Sequence, residues 1–194
     1  MAKNEDYELI TQFVTSLAKY YRFINKEQSD SIHLMAEIEH MTNYIDIQQM
    51  RFGDKIKVEI GELPESIQMI SVPKLILQPL IENAYEYGLV NKLSDGLIHI
   101  IYEYDGRFIK IIVEDNGDEA DELLIYKMRE RLVSNEEKEK GHALYNINRR
   151  LKLAYGKSSG LGIEKSVLGG IKVILSIDCE KHGINSKSPK STCQ

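Results

Sequence analysis

The sequence predicts an α+β protein, a two-layer sandwich in which a mixed β-sheet carries helices on one face, preceded by an N-terminal helical hairpin. Three observations carry that class. Residues 97–104 and 108–114 are strand-like runs parted by Asp105-Gly106, a strong short-range hairpin signal. Segments of helical period are interspersed with the strand runs instead of being segregated from them. At the front, Ile10, Phe13, Val14, Leu17, Tyr21 and Ile24 recur three and four apart, and Leu34, Ile38, Met41 and Ile45 repeat the pattern after a polar link.

Taken in order, the first helix runs from Leu9 to Ile24, and Ser29 or Asp30 is placed to cap the second, which ends at Gly53. Two helices on a short link make an antiparallel hairpin, whose apolar stripes must be covered by the following domain or by another copy of the chain. Lys55 to Ile60 alternates as a strand, and Ile67 to Val72 is a second candidate after the Leu63-Pro64 turn. A helix then opens at Pro73, where a missing N–H costs nothing, and closes at Gly88, where a left-handed conformation is cheap. Leu77, Leu80, Ile81 and Ala84 form its core face.

Beyond the hairpin, Asp115-Asn116-Gly117 breaks the strand, Asp118 to Ser134 contains a helix, and Asn135 to Lys140 is a charged connection. Leu144, Ile147, Leu151 and Ala154 mark a helix from Ala143 to Tyr155, closed by Gly156. Leu161 to Val167 and Ile171 to Asp178 read as a last strand pair, and the tail from Lys181 is polar. The expected organisation is a helical hairpin over 1–54, a domain over 55–180 and a tail over 181–194.

A chain of 194 residues with 42% hydrophobic content accommodates one substantial domain plus an extra element. Its net charge of -5 argues against a nucleic-acid surface, which needs a concentrated basic face. Cys179, Cys193 and the five scattered histidines lack metal-site spacing, so a structural zinc is not expected. The apolar runs are shorter than a membrane span and the N-terminus lacks a signal-peptide pattern. A cytoplasmic setting follows, with any membrane attachment through a part outside this chain.

Glu82 and Asn83 flank the apolar stripe of the Pro73–Gly88 helix, and an amide so close to a core must be hydrogen-bonded or face a cleft. The run Gln78-Pro-Leu-Ile-Glu-Asn-Ala84, followed by Gly88, resembles the asparagine box of the ATP-binding domain in LytS/YesM-like sensor histidine kinases. Glu39 to Asp54 resembles the helix that links the phosphoacceptor region of those kinases to their catalytic domain. The resemblance implies the Bergerat-type ATP-binding fold shared with gyrase and MutL, with ATP and Mg²⁺ as cofactors. It makes Glu82 and Asn83 the catalytic pair and the Asn83 oxygen a Mg²⁺ ligand, a suitable donor for a hard octahedral ion.

Three further boxes continue the resemblance. Asp115-Asn116-Gly117 is similar to the first glycine box, whose aspartate accepts a hydrogen bond from the adenine amino group, as an acceptor-only carboxylate can. The same tripeptide is also a common turn. Gly141-His-Ala-Leu-Tyr-Asn-Ile-Asn-Arg-Arg-Leu151 resembles the second box, with Gly141, Leu144, Asn146, Arg150 and Leu151 matching and Ala143 in place of a glycine. A loop opening a helix there would offer N–H groups to phosphate oxygens. Gly169-Gly170-Ile171 resembles a terminal glycine-glycine-threonine, putting Gly170 and Ile171 at the adenine.

The departures are Glu119 for a second glycine, Ala143, Ile171, and Glu86-Tyr87 for a basic Lys-His pair, which places Tyr87 at a cofactor position. Losing a cation and gaining carboxylates near a triphosphate costs on the order of 1–3 kcal/mol where the charges are partly buried. Two functions are therefore carried forward. One is the ATP-binding and catalytic portion of a sensor histidine kinase; the alternative is a degenerate interaction or dimerisation module that keeps the fold. Hydrolysis of the gyrase type is disfavoured, because Pro79 stands where its water-activating carboxylate belongs. His33 and His40 lack the neighbours of a phosphoacceptor, so the receiving histidine is expected outside this chain, on the phosphoacceptor helix of the same kinase or its dimer mate. ATP/ADP, a response regulator and a second copy of the chain are the expected partners.

Overall fold

A computed structural model describes residues 2–25, 30–118, 120–133 and 142–180. Helix α1 (Ala2–Ile24) lies along α2 (Leu34–Phe52), and the short strand β1 (Ser31–His33) precedes α2. Strand β2 (Ile56–Ile60) follows, then β3 (Ser71–Pro73), which pairs antiparallel with β1. Helix α3 (Gln78–Asn83) runs on into a widened π-helical turn, Ala84–Gly88. Strands β4 (Gly96–Tyr104) and β5 (Phe108–Asp115) form the hairpin, with Gly106 at φ 92° in its turn. Helices α4 (Glu122–Arg131) and α5 (His142–Tyr155) and strands β6 (Gly160–Lys165) and β7 (Ile171–Asp178) complete the described chain.

The main sheet has the order β2-β4-β5-β7-β6 and is mixed, because β2 runs parallel to β4 while the other pairs are antiparallel. Alternation decides which face is covered. Ile98, Ile100 and Tyr102 of β4, Ile109, Ile111 and Val113 of β5, and Val173, Leu175 and Ile177 of β7 point to the helices and are buried. Leu97, His99 and Ile101 alternate with them and stay half-exposed. Leu34, Met41 and Ile45 of α2 enter the same core as Leu80 and Ile81 of α3, so the second hairpin helix is built into the domain. Full burial of each such side chain contributes about 1.5–3 kcal/mol.

Three local expectations are corrected. Helix α2 begins at Leu34, not after Ser29 or Asp30, because residues 31–33 pair with β3. Only residues 71 and 72 of the expected 67–72 strand fall in β3, since Glu65–Ile67 is a 3₁₀ turn. Pro73 ends β3 and does not open a helix; Leu75 takes a left-handed φ of 60° and the helix starts at Gln78. The cause is Glu37 of α2, whose buried carboxylate accepts the N–H groups of Leu75, Ile76 and Leu77 at 2.6, 2.9 and 3.2 Å. The stripe predicted for α1 is also turned outward. Tyr7, Ile10, Val14 and Tyr21 are exposed, while Ser16 is buried and Tyr20 and Phe23 stack against His40 of α2.

Candidate active site

Helix α3 positions the asparagine. Leu80, Ile81 and Ala84 pack into the core, which leaves Glu82 and Asn83 at the wall of a cavity of ≈ 140 Å³ closed by α4 and the start of α5. Asn83 is 8% exposed, and its amide makes no hydrogen bond with the described residues. Tyr87, Ala143 and Leu144 line the same cavity, together with Glu86 and Arg131. Oxygen donors of this kind fit a hard cation held partly by phosphate. Among the described residues no cluster of three His, Cys, Asp or Glu side chains forms that would hold a metal unaided.

Asp115, Gly117, Gly170 and Ile171 assemble in a second, tighter cluster at the ends of β5 and β7. Asp115 is 2% exposed, and its Oδ1 accepts from the Gly117 and Ile171 N–H groups at 2.9 and 3.3 Å. Oδ2 receives no hydrogen bond from the described residues. Burial pushes the Asp115 carboxyl up, against the opposing pull of those N–H groups and of the Lys92 charge. A Cβ on Gly170 would stand 1.9 Å from Asp115 Oδ1, and one on Gly88 would stand 2.5 Å from Asp115 Cγ. Gly88 is thus not a left-handed helix end. It is the point where the π turn after Asn83 meets the aspartate, so the two clusters adjoin through it. Such widened turns recur at functional sites.

Residues 1–56 match the family model described as histidine kinase. The LytS sensor protein of Oceanobacillus iheyensis is 33% identical over 168 residues, which cover 86% of this chain and 28% of that protein. Over most of its length the chain is similar to the LytS/YesM-like sensor histidine kinases. The YpdA sensor histidine kinase of Escherichia coli is 33% identical over 79% of this LytS/YesM-like chain and 26% of its own length; YesM of Bacillus subtilis is 28% identical over 92% and 29%. The chain therefore spans less than a third of the length of these relatives. The catalytic domain of the histidine kinase ThkA, nucleotide-free, superposes with a TM-score of 0.54 at 17% identity, covering 76% of this chain and 93% of that one. The histidine kinase domain of a blue-light activated kinase from Erythrobacter litoralis gives 0.51 at 16% identity over 91% and 82%. These two likenesses establish the fold, the mixed sheet with helices on one face.

Not every motif residue of the LytS/YesM-like chain reaches the cavity. Asn146 is exposed and lines no part of it, and Gly141 and Glu119 lie outside the described residues. The buried asparagine of α5 is Asn148, which donates to the Leu132 carbonyl at 2.9 Å and accepts from the Leu161 N–H at 2.9 Å, tying α4 to β6. Arg150 donates to the Lys74 carbonyl, and Leu151 is fully buried, so this pair braces the fold. Arg131 went unnoticed in the sequence although it had a signal. Leu124, Met128, Arg131 and Leu132 occupy one helical stripe, and all four line the cavity. Lys92 was missed as well; its ammonium holds the Asn116 carbonyl at 2.5 Å and Asp118 at 2.9 Å, fixing the turn beside Asp115.

Proposed function

We propose that this chain is the ATP-binding and catalytic portion of a sensor histidine kinase, which transfers the γ-phosphoryl group of ATP to a histidine outside this chain. The observation that carries the reading is the pair of polar groups without a protein partner among the described residues, the Asn83 amide facing the cavity and Asp115 Oδ2 in the adjoining cluster. Asn83 would hold Mg²⁺ and Asp115 would accept the adenine amino group. The bound ion and nucleotide supply the phosphoryl group and neutralise its charge. Glu82 and Asn83 orient the reacting end, Tyr87, Ala143 and Leu144 line the phosphate side, and Gly117, Gly170 and Ile171 hold Asp115 in place. A cavity of ≈ 140 Å³ is smaller than the roughly 300–1,000 Å³ typical of small-molecule sites.

Histidines of the described chain support an acceptor elsewhere. His40 is buried, His33 Nδ1 is bonded to the Met69 carbonyl, and His99 faces Glu114 on the open side of the sheet. In this reading residues 1–54 form the hairpin leading from a phosphoacceptor helix, 55–180 the nucleotide-binding unit and 181–194 a tail. A response regulator takes the phosphoryl group onward, and the outward apolar residues of α1 join two copies. No helix among the described residues is long and apolar enough to cross a membrane, and the unit works in the cytoplasm.

The same exposed α1 face favours the second reading, an interaction module without nucleotide. Calorimetric titration with Mg²⁺ and a β,γ-imido analogue of ATP separates the two. Saturable binding that Asn83→Ala and Asp115→Asn each weaken at least about tenfold, the scale of a lost hydrogen bond to a charged group, supports the kinase reading. A folded chain that takes up no analogue at millimolar concentration overturns it.

A further inference from the structure

Gln78 lies one turn before Glu82 on α3, and every polar atom of its amide is engaged. Its Nε2 donates to the Glu82 carboxylate at 2.5 Å and to the Tyr20 hydroxyl at 2.8 Å, and its Oε1 faces His40 Nε2 at 2.6 Å. Chemistry orients the group, because a carboxylate only accepts and the nitrogen must therefore face Glu82. The amide oxygen in turn only accepts, so His40 carries its hydrogen on Nε2. His40 Nδ1 has no partner among the described residues. Both side chains are enclosed, Gln78 at 6% exposure and His40 at 1%. The imidazole is clasped between two rings of α1, Phe23 at 3.9 Å and Tyr20 at 5.0 Å between centroids, both nearly parallel to it.

The two ends of this network lie in different parts of the molecule. Tyr20 and Phe23 belong to the first hairpin helix, whose other large apolar side chains mostly face outward. Glu82 stands beside Asn83 on the cavity wall. A planar amide cannot keep one N–H on Tyr20 and the other on Glu82 if either end moves, and a buried N–H without an acceptor is costly. We propose that Gln78 is a positioning residue that sets the Glu82 carboxylate at the cavity according to the packing of α1 on α2, so that the hairpin and the nucleotide cavity are energetically coupled. The coupling is reciprocal, because two sites joined by one free energy influence each other equally. It rests on the nucleotide-binding reading above.

The test follows the ring ¹⁵N resonances of His40, assigned with His40→Asn, during titration with Mg²⁺ and the β,γ-imido ATP analogue. Affinity is measured in parallel by calorimetry. In the native chain the analogue shifts the His40 signals, although His40 lines no part of the cavity. Gln78→Met keeps the length of the side chain and removes its hydrogen bonds; it still binds, about tenfold more weakly, and the His40 shift disappears. Tyr20→Phe repeats the test from the hairpin end, keeps the stacked ring, and lowers affinity about threefold with a smaller His40 shift. This second variant serves if Gln78→Met does not fold. Binding by the native chain with His40 signals unmoved, or a full shift persisting in the folded variants, overturns the coupling and leaves the nucleotide site standing. Absence of binding by the native chain overturns both.

Discussion

Replacing Glu37 should destabilise the whole domain and loosen the approach to Asn83 specifically. Its carboxylate has 0% exposure and accepts three consecutive backbone N–H groups, of which those of Ile76 and Leu77 are buried. In Glu37→Ala these two donors lose their acceptor, at about 1–3 kcal/mol each, so the expected loss is about 4 kcal/mol. That corresponds to a fall in Tm of about 8–16 °C for a chain of this size. Glu37→Gln also turns one oxygen into a donor that confronts a backbone N–H, and it is expected to lose about 2 kcal/mol. Urea titration followed by circular dichroism reads both losses, and amide exchange of Ile76 and Leu77 localises them. A pH series adds a signed check. Burial holds the Glu37 carboxyl above its ordinary value of 4.5, so the folded state binds the extra proton. Native stability relative to Glu37→Gln should then decline as pH rises from about 4.5 through the raised folded value, and level off beyond it. A loss below about 1 kcal/mol in Glu37→Ala would refute the claim that this carboxylate organises the segment before α3.

Gly170→Ala is expected to cost about 3 kcal/mol or more, because the new methyl has only backbone and the enclosed Asp115 carboxylate around it; chemical denaturation measures it. The Arg107 guanidinium, 3.0 Å from Asp178, and the Ser158 hydroxyl hold the Asp178 carboxyl well below its ordinary 3.8. The stability difference between native chain and Asp178→Asn should therefore be complete above about pH 3.8 and vanish as pH falls below it, as followed by acid unfolding. Arg131→Met should weaken Mg²⁺-nucleotide binding about tenfold, read by calorimetry, since it removes a cation from a cavity that also holds Glu82 and Glu86.

What could be read from the sequence was what local chemistry decides. Asp105-Gly106 specified its hairpin because Gly106 supplies the positive φ within the turn itself, and Asp105 Oδ1 accepts the Phe108 N–H at 2.6 Å. The helix ending at Gly156, φ 93°, was legible for the same reason. The segment from Ser71 to Leu77 was not, because its conformation is imposed from Glu37 and from β1, about forty positions away in the chain. A proline followed by an apolar helical stripe gives no hint that a carboxylate on another helix will seize the intervening N–H groups. Gly88 misled in the same way. Its requirement is space for Asp115, which belongs to a strand that the sequence places far downstream. The outward turn of the α1 stripe was equally hidden, since periodicity finds an apolar face without saying which neighbour it meets.

The same geometry changes what the motifs are worth as signs of nucleotide chemistry. Gly88, Gly117 and Gly170 converge on the Asp115 loop so tightly that a side chain at any of them collides with it, and a Cβ on Gly117 would lie 2.2 Å from the Gly88 carbonyl oxygen. Asn116 is committed as well, accepting from the Leu97 N–H and donating to the Asp95 carbonyl. Packing alone demands these residues, so their presence would survive the loss of ATP binding. Ile171 belongs to the same group, since its N–H holds Asp115 and its side chain is core. The polar atoms that packing does not demand are different ones: the Asn83 amide and Asp115 Oδ2, both nearly enclosed and both without a protein partner among the described residues. Neither is among the fully enclosed unpaired atoms of the described residues, which are His40 Nδ1, Gln49 Oε1, Tyr85 Oη and Tyr102 Oη, so both are open to a ligand or to water. A ligand site needs reachable polar atoms that packing leaves uncommitted and an interaction module does not, which is why these two side chains, more than any glycine, favour the kinase reading over the degenerate one.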